Sequence, residues 1–140
     1  MAVVAHNAED VKLLARLMRA EAEGEGRLGM LMVGNVGVNR VISDCLDFRG
    51  LRSIRQMVFQ SPGGFEAIQK GYFYQAAREL DIQLARQVIR GWRYHPATNS
   101  LWFFKPQGEC PPQWFNQWNV GRFKAHCFYA PSSSDCPKVY

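Results

Sequence analysis

The first pattern along the chain is helical. Asn7 precedes Glu9 and Asp10, and apolar residues recur at helical spacing from Val11 through Leu14 and Met18. A capped helix is predicted from about Ala8 to Ala22, with Asp10 in the place usually held by Glu or Gln. A second helix is predicted from Arg27 to Ile42. Leu28, Leu31, Val38 and Ile42 form its stripe, and Gly29, Gly34 and Gly37 allow a neighbouring helix to come close. Asp44 to Gly50 reads as a loop and Leu51 to Phe59 as a short helix, stopped by the breaker Ser61-Pro62-Gly63-Gly64. Helical patterning returns from Phe65 to Trp92, where Leu80, Leu84, Val88 and Ile89 share a face and Gly91 stands near the end.

After Pro96 the pattern changes. Leu101-Trp102-Phe103-Phe104 and Phe123 to Tyr129 read as short strands, separated by a Pro-, Gly- and Trp-rich loop from Lys105 to Val120. The tail from Pro131 is turn-forming. The expectation is an α+β fold: a single α-rich domain over residues 1–140 with a small antiparallel β-hairpin.

A 47% hydrophobic share with 21% charged residues suits a globular protein, and 13% aromatic residues is more than a core needs, so some rings are expected to line a cleft. The formal net charge of +5 favours a polyanionic partner: nucleic acid, an anionic membrane surface or the acidic bacterial wall. The opening residues lack a basic stretch followed by an apolar one, and no run approaches the roughly 20 apolar residues of a membrane span, so the product is expected to stay in the cell that makes it. Four scattered cysteines without a CxxC pair make reduced thiols the starting expectation. Cys110, His126, Cys127 and Cys136 match no standard zinc spacing, and a later disulfide or cross-link is preferred to zinc. No metal or resident cofactor is expected, and no EF-hand loop is present.

The chemistry starts from a misplaced carboxyl. With Val11 at zero and about 100° per residue, Leu14 and Met18 fall at about 300° and about 340°, and Glu21 at about 280°, inside the same stripe. If the helix continues past Gly24, Glu25 joins that stripe, while Glu23 projects beside Lys12, Arg16 and Arg19 as a solvated charge. Burial and a second nearby carboxylate both keep a proton on Glu21, which is the state a glycosidase acid requires. Pattern alone leaves the alternative open that Glu21 and Glu25 sit at a frayed helix end, solvated or paired with Arg19 or Arg40.

Arg19-Ala20-Glu21-Ala22-Glu23-Gly24-Glu25, followed by Gly34-Asn35-Val36-Gly37-Val38-Asn39-Arg40, resembles the signature of the SleB/CwlJ family of spore cortex-lytic cell wall hydrolases. Gln60-Ser61-Pro62-Gly63-Gly64-Phe65, the aromatic run at Leu101 and Gly121-Arg122-Phe123-Lys124-Ala125-His126-Cys127-Phe128-Tyr129 extend the resemblance over nearly the whole chain, most like the CwlJ branch. It implies a lysozyme-like or lytic-transglycosylase-like domain with Glu21 as catalytic acid and spore cortex peptidoglycan as substrate. It also implies residence in the spore coat after synthesis without a signal peptide in the mother-cell cytoplasm. A small coat protein for placement and activation by calcium dipicolinate complete what it implies.

Other residues are weighed beside it. Glu25 and His126 are possible second catalytic or supporting residues. Asn35 and Asn39 lie on the apolar stripe of the second helix, either to meet sugar hydroxyls or to clamp helices together. Strand alternation points His126 and Tyr129 to opposite faces. Phe65, Tyr72, Tyr74, Trp102 and Trp114 are candidates to stack on sugars, and Asn39, Phe65, Trp102 and Tyr129 are the substrate-binding set. Two rivals remain: a non-catalytic spore-coat protein that binds peptidoglycan or a coat partner, and a nucleic-acid-binding domain, for which no recognised motif is present.

Overall fold

The computed structural model describes residues 2–61, 64–69 and 71–140. The Pro62-Gly63 centre of the expected breaker and the side chain of Tyr72 lie outside the described residues. Asn7 caps α1 (Ala8–Ala22) reciprocally: its Oδ1 accepts from the Asp10 N–H at 2.8 Å, and Asp10 Oδ2 accepts from the Asn7 N–H at 3.0 Å. The helix does not run on through Gly24. It ends at Ala22, a single 3-10 turn over Glu23–Glu25 follows, and Gly26 opens α2 (Gly26–Ser43).

α2 is the central helix, buried from Gly29 through Val41. A Cβ at Gly34 would lie 2.8 Å from Met18 Sδ and 2.9 Å from Val88 Cγ2, so the missing side chain is what lets α1, α2 and α4 (Glu79–Ile89) meet at one point. α3 (Ile54–Val58) is shorter than the expected helix over 51–59. The expected helical stretch over 65–92 becomes two 3-10 turns, Glu66–Gln69 and Gly71–Tyr74, followed by α4. The physical reason lies on α1: Arg16 Nε donates to the Phe73 carbonyl at 2.9 Å and Arg19 to the Ala76 carbonyl at 3.5 Å, so long cationic side chains take the carbonyls that a helix would use.

Among the described residues, the sheet has four antiparallel strands in the order β1-β4-β3-β2, where a two-stranded hairpin is expected from the sequence. They are β1 (Trp102–Phe104), β2 (Gln113–Trp114), β3 (Gln117–Phe123) and β4 (His126–Ala130). The expected strand over 123–129 is broken because Lys124 adopts φ 51° and turns the chain, pairing Phe123 with His126. A second tight turn, Phe115-Asn116 with φ 49° and 66°, joins β2 to β3 with Trp114 opposite Gln117, the backbone of a primed hairpin turn. The mixed α+β character expected from the sequence holds.

The cysteines form two disulfides, Cys45–Cys136 and Cys110–Cys127, which corrects the expectation of reduced thiols. The first joins the end of α2 to the C-terminal segment, and the second joins the loop before β2 to β4. The three cysteines weighed for zinc, Cys110, Cys127 and Cys136, are thereby all held in disulfides. Among the described residues, no helix is long and apolar enough to cross a membrane.

Candidate active site

Glu21 projects from the last turn of α1 and is partly buried. Its Oε1 accepts the Ala67 N–H at 3.1 Å, which fixes one carboxyl oxygen against the 3-10 turn at 66–69. The residue stands where two hollows meet. A cleft of about 900 Å³ is walled by Phe48, Phe65, Trp102, Phe103, Trp114 and Phe115, and a smaller hollow of about 510 Å³ is lined by Arg19, Glu23, Glu25 and Gln75. Ala20, Glu21 and Lys105 line both.

Burial pushes the Glu21 carboxyl above its ordinary value of 4.5. The Ala67 N–H pulls it back down, the neighbouring Glu66 charge raises it, and the Lys105 and Arg40 charges lower it. The carboxyl therefore keeps its proton to higher pH than a free glutamate while its geometry stays fixed by one hydrogen bond. Such a group can protonate a leaving oxygen.

The sequence pattern gave no functional role to Arg40, which also lines the cleft. It is 5% exposed, donates from Nε to the Leu101 carbonyl at 2.7 Å, and lies over the rings of Phe65 at 4.2 Å and Phe48 at 4.7 Å. Burial pushes its guanidinium down to about 9 against the opposing pull of Glu21 and Asp47. One signal was available: Arg40 is the single charged residue between Leu28 and Ser43. Glu66, Asp47, Lys105 and Phe104 line the cleft as well and carried no pattern that marked them.

Glu25 and His126 are brought together, though not as a second acid beside Glu21. Glu25 is 8% exposed and His126 2% exposed; Glu25 Oε1 binds His126 Nδ1, and Oε2 accepts the Ala125 N–H at 2.9 Å. Lys124 Nζ donates to the Glu25 carbonyl at 3.1 Å. Both carboxylate oxygens of Glu25 are thus committed, one to the turn before β4 and one to the first residue of β4. The His126 ring meets Phe103 edge-on at 5.0 Å and reaches the cleft, so the pair holds one wall of it. Burial lowers the His126 pKa from 6.5, with the Glu25 bond and charge acting against that shift.

The substrate-binding set divides. Phe65 and Trp102 line the cleft. Tyr129 is fully buried beneath it, donating to the Pro111 carbonyl at 2.7 Å, with its ring against Phe104 and Trp114. Asn39 is 1% exposed and spends its amide N–H groups on the carbonyls of Ala97, Thr98 and Ser100 at 3.3, 3.1 and 2.9 Å. Asn35 accepts from the Tyr94 N–H at 3.2 Å. Both amides clamp the segment 94–100 to α2, away from the cleft lining. Trp114 lines the cleft beside Phe115, whereas Tyr74 is 60% exposed and outside the lining.

Comparison with known proteins shows the family of the chain. The pattern of a family described as Cell Wall Hydrolase matches residues 24–129. The chain is 71% identical over 140 residues to the cell wall hydrolase CwlJ of Oceanobacillus iheyensis, covering all of this chain and 99% of that protein. It is 59% identical to CwlJ of Bacillus subtilis, covering all of this chain and 98% of that one. Among solved structures, the catalytic domain of Bacillus cereus SleB superposes with a TM-score of 0.71 at 25% identity, covering 89% of this chain and 92% of that one.

Proposed function

The chain belongs to the cell wall hydrolase family, and from that premise we propose that it cleaves the glycan strands of spore cortex peptidoglycan with Glu21 as general acid and base. Cell wall hydrolysis is the family's activity; the residue and the bond belong to the proposal. The observation that carries it is the partly buried Glu21 carboxyl, hydrogen-bonded at 3.1 Å and placed where two hollows join, so that a strand lying through both would pass its scissile bond across this group.

In this mechanism the protonated Glu21 gives its proton to the glycosidic oxygen as the C1–O bond breaks, and the leaving sugar departs as an alcohol. The anionic Glu21 then takes a proton from the hydroxyl that attacks C1. When that hydroxyl is the C6–OH of the same muramic residue, one carboxylate suffices and an anhydro end is formed. When it is water, a second carboxylate is needed. Glu25 is committed to His126 and Ala125, which favours the single-carboxylate, anhydro-forming route. Glu66 and Asp47 are the carboxylates of the cleft that hydrolysis would use. Mass spectrometry of fragments released from purified cortex decides between them: anhydro-muramic ends support the first route, and reducing muramic ends with one added water require the second.

The charge of +5 assists approach to an anionic wall. Spore association belongs to the proposal and is supported by the resemblance to the spore cortex-lytic family. Placement in the coat by a small coat protein, and release of activity by calcium dipicolinate, belong to the same proposal and rest on the resemblance set out from the sequence.

A further inference from the structure

Arg40 has an unusual set of contacts for a buried cation. Nε is fixed on the Leu101 carbonyl at 2.7 Å, and the guanidinium lies over the rings of Phe65 at 4.2 Å and Phe48 at 4.7 Å. These contacts hold the group rigid without neutralising it. Nη1 is buried and has no hydrogen-bond partner among the described residues. Burying a cation with one edge unpaired is costly, and a cost of that kind kept in the lining of a cleft points to a use for the edge at another stage of a cycle. Glu21 lines the same cleft and would change charge in turnover.

We propose that Arg40 is the positioning residue of the Glu21 acid: a guanidinium fixed in the cleft that Glu21 lines, whose unpaired Nη1 edge receives the carboxylate that Glu21 becomes after giving its proton to the glycosidic oxygen. The inference deepens the proposed function and rests on Glu21 being the acid. When the C1–O bond breaks, its electron pair goes to the leaving oxygen together with the Glu21 proton, leaving a cationic sugar carbon and a carboxylate anion. Arg40 stabilises that anion until the attacking hydroxyl returns a proton to it. A fixed charge performs this without solvent reorganisation.

The groups that bear on this pair come from every element around it. Glu21 is surrounded by Glu66 from the 3-10 turn, Lys105 after β1, Arg40 on α2, and Arg19, Glu23 and Glu25 around the smaller hollow. Arg40 faces Glu21 and Asp47, and His126 of β4 lines the cleft they share. Arg40 is the buried cation of this set, so its charge is the least screened by water.

The test is a titration of the full chain by side-chain carbon NMR, with Glu21 assigned through Glu21→Gln, in the parent, Arg40→Gln and Arg40→Lys proteins. Removing a cation raises a neighbouring carboxyl, so Arg40→Gln should move the Glu21 titration, and the alkaline limb of the pH–rate profile, upward by about one unit. The maximal rate should fall roughly ten- to hundredfold with KM little changed, and Arg40→Lys should keep both titration and limb near the parent. An unchanged Glu21 titration in folded Arg40→Gln overturns the proposal. Where neither Arg40 variant folds, the parent protein decides: the Arg40 guanidinium nitrogen signals should follow the Glu21 titration and become flat in Glu21→Gln, and signals that never follow it overturn the proposal. Undiminished activity of Glu21→Gln would instead remove the acid itself, an outcome these titrations distinguish from failure of the pairing.

Discussion

His126 Nδ1 meets Glu25 Oε1 across a sequence separation of 101 residues, joining the turn between α1 and α2 to the start of β4. The contact explains how a helix end and an inner strand of the sheet hold one cleft. The turn carrying Glu25 directly follows the helix end carrying Glu21, so fixing one restrains the other.

Breaking this pair is predicted to cost stability before it costs chemistry. Replacing one member leaves a buried polar group without its partner, and His126→Ala or Glu25→Ala should destabilise the fold by about 1–3 kcal/mol. Because burial lowers the His126 pKa, the unfolded chain takes up the proton first as pH falls. This contribution is complete above about pH 6.5 and is lost as pH drops from there toward the lower folded-state value. Chemical denaturation of the parent and His126→Gln proteins across that window checks it: the parent should lose stability on acidification more steeply than the variant.

Glu21 carries the opposite sign. Its folded-state pKa is raised, so its ionisation opposes folding increasingly as pH rises above about 4.5 and through the folded-state value. Glu21→Gln removes that opposition and keeps an oxygen to accept the Ala67 N–H. At neutral pH the variant should be at least as stable as the parent by thermal melting; a marked loss would mean that the carboxylate is a structural ion.

The helical half was largely legible in the sequence because its signals are local. The Asn7 cap follows from a neighbour three residues on, and the apolar stripes of α1 and α2 from helical spacing within each segment. The wheel placed Glu21 correctly on the inner face, yet extending it through Gly24 misdirected Glu25, since the chain turns after Ala22 and Glu25 finds its partner in β4. The sheet was less legible. Lys124 and Phe115 adopt positive φ although neither is the Gly, Asn or Asp usual there, and only Asn116 beside Phe115 carries the ordinary turn signal. Arg40 was missed because the rings of Phe48 and Phe65 and the Leu101 carbonyl that hold it come together only in the folded chain.

Phe115 is 80% exposed, occupies the left-handed region and lines the cleft. A bulky residue in that conformation is strained, and strain kept at a cleft edge points to use by substrate. Phe115→Gly should leave stability unchanged or higher while KM for soluble glycan rises roughly two- to tenfold, the equivalent of the ~0.5–1.5 kcal/mol of an aromatic contact. An unchanged KM would place the ring outside the binding path.

The two disulfides should differ in weight. By loop-closure entropy, the Cys45–Cys136 bond with its separation of 91 contributes about 4–5 kcal/mol, and the Cys110–Cys127 bond with its separation of 17 about 3 kcal/mol. The second fastens the loop ahead of Trp114 to β4, so removing it should loosen the aromatic wall. Cys110→Ala/Cys127→Ala is predicted to lose activity out of proportion to its fall in melting temperature, and Cys45→Ala/Cys136→Ala to show the reverse.

The most direct test of the central assignment is the rate at which soluble muropeptides appear, by mass spectrometry, when purified spore cortex is incubated with the parent protein or with folded Glu21→Gln. The account predicts glycan-cleaved fragments from the parent and a rate lower by roughly two to four orders of magnitude in the variant. Equal release by the two proteins would contradict it.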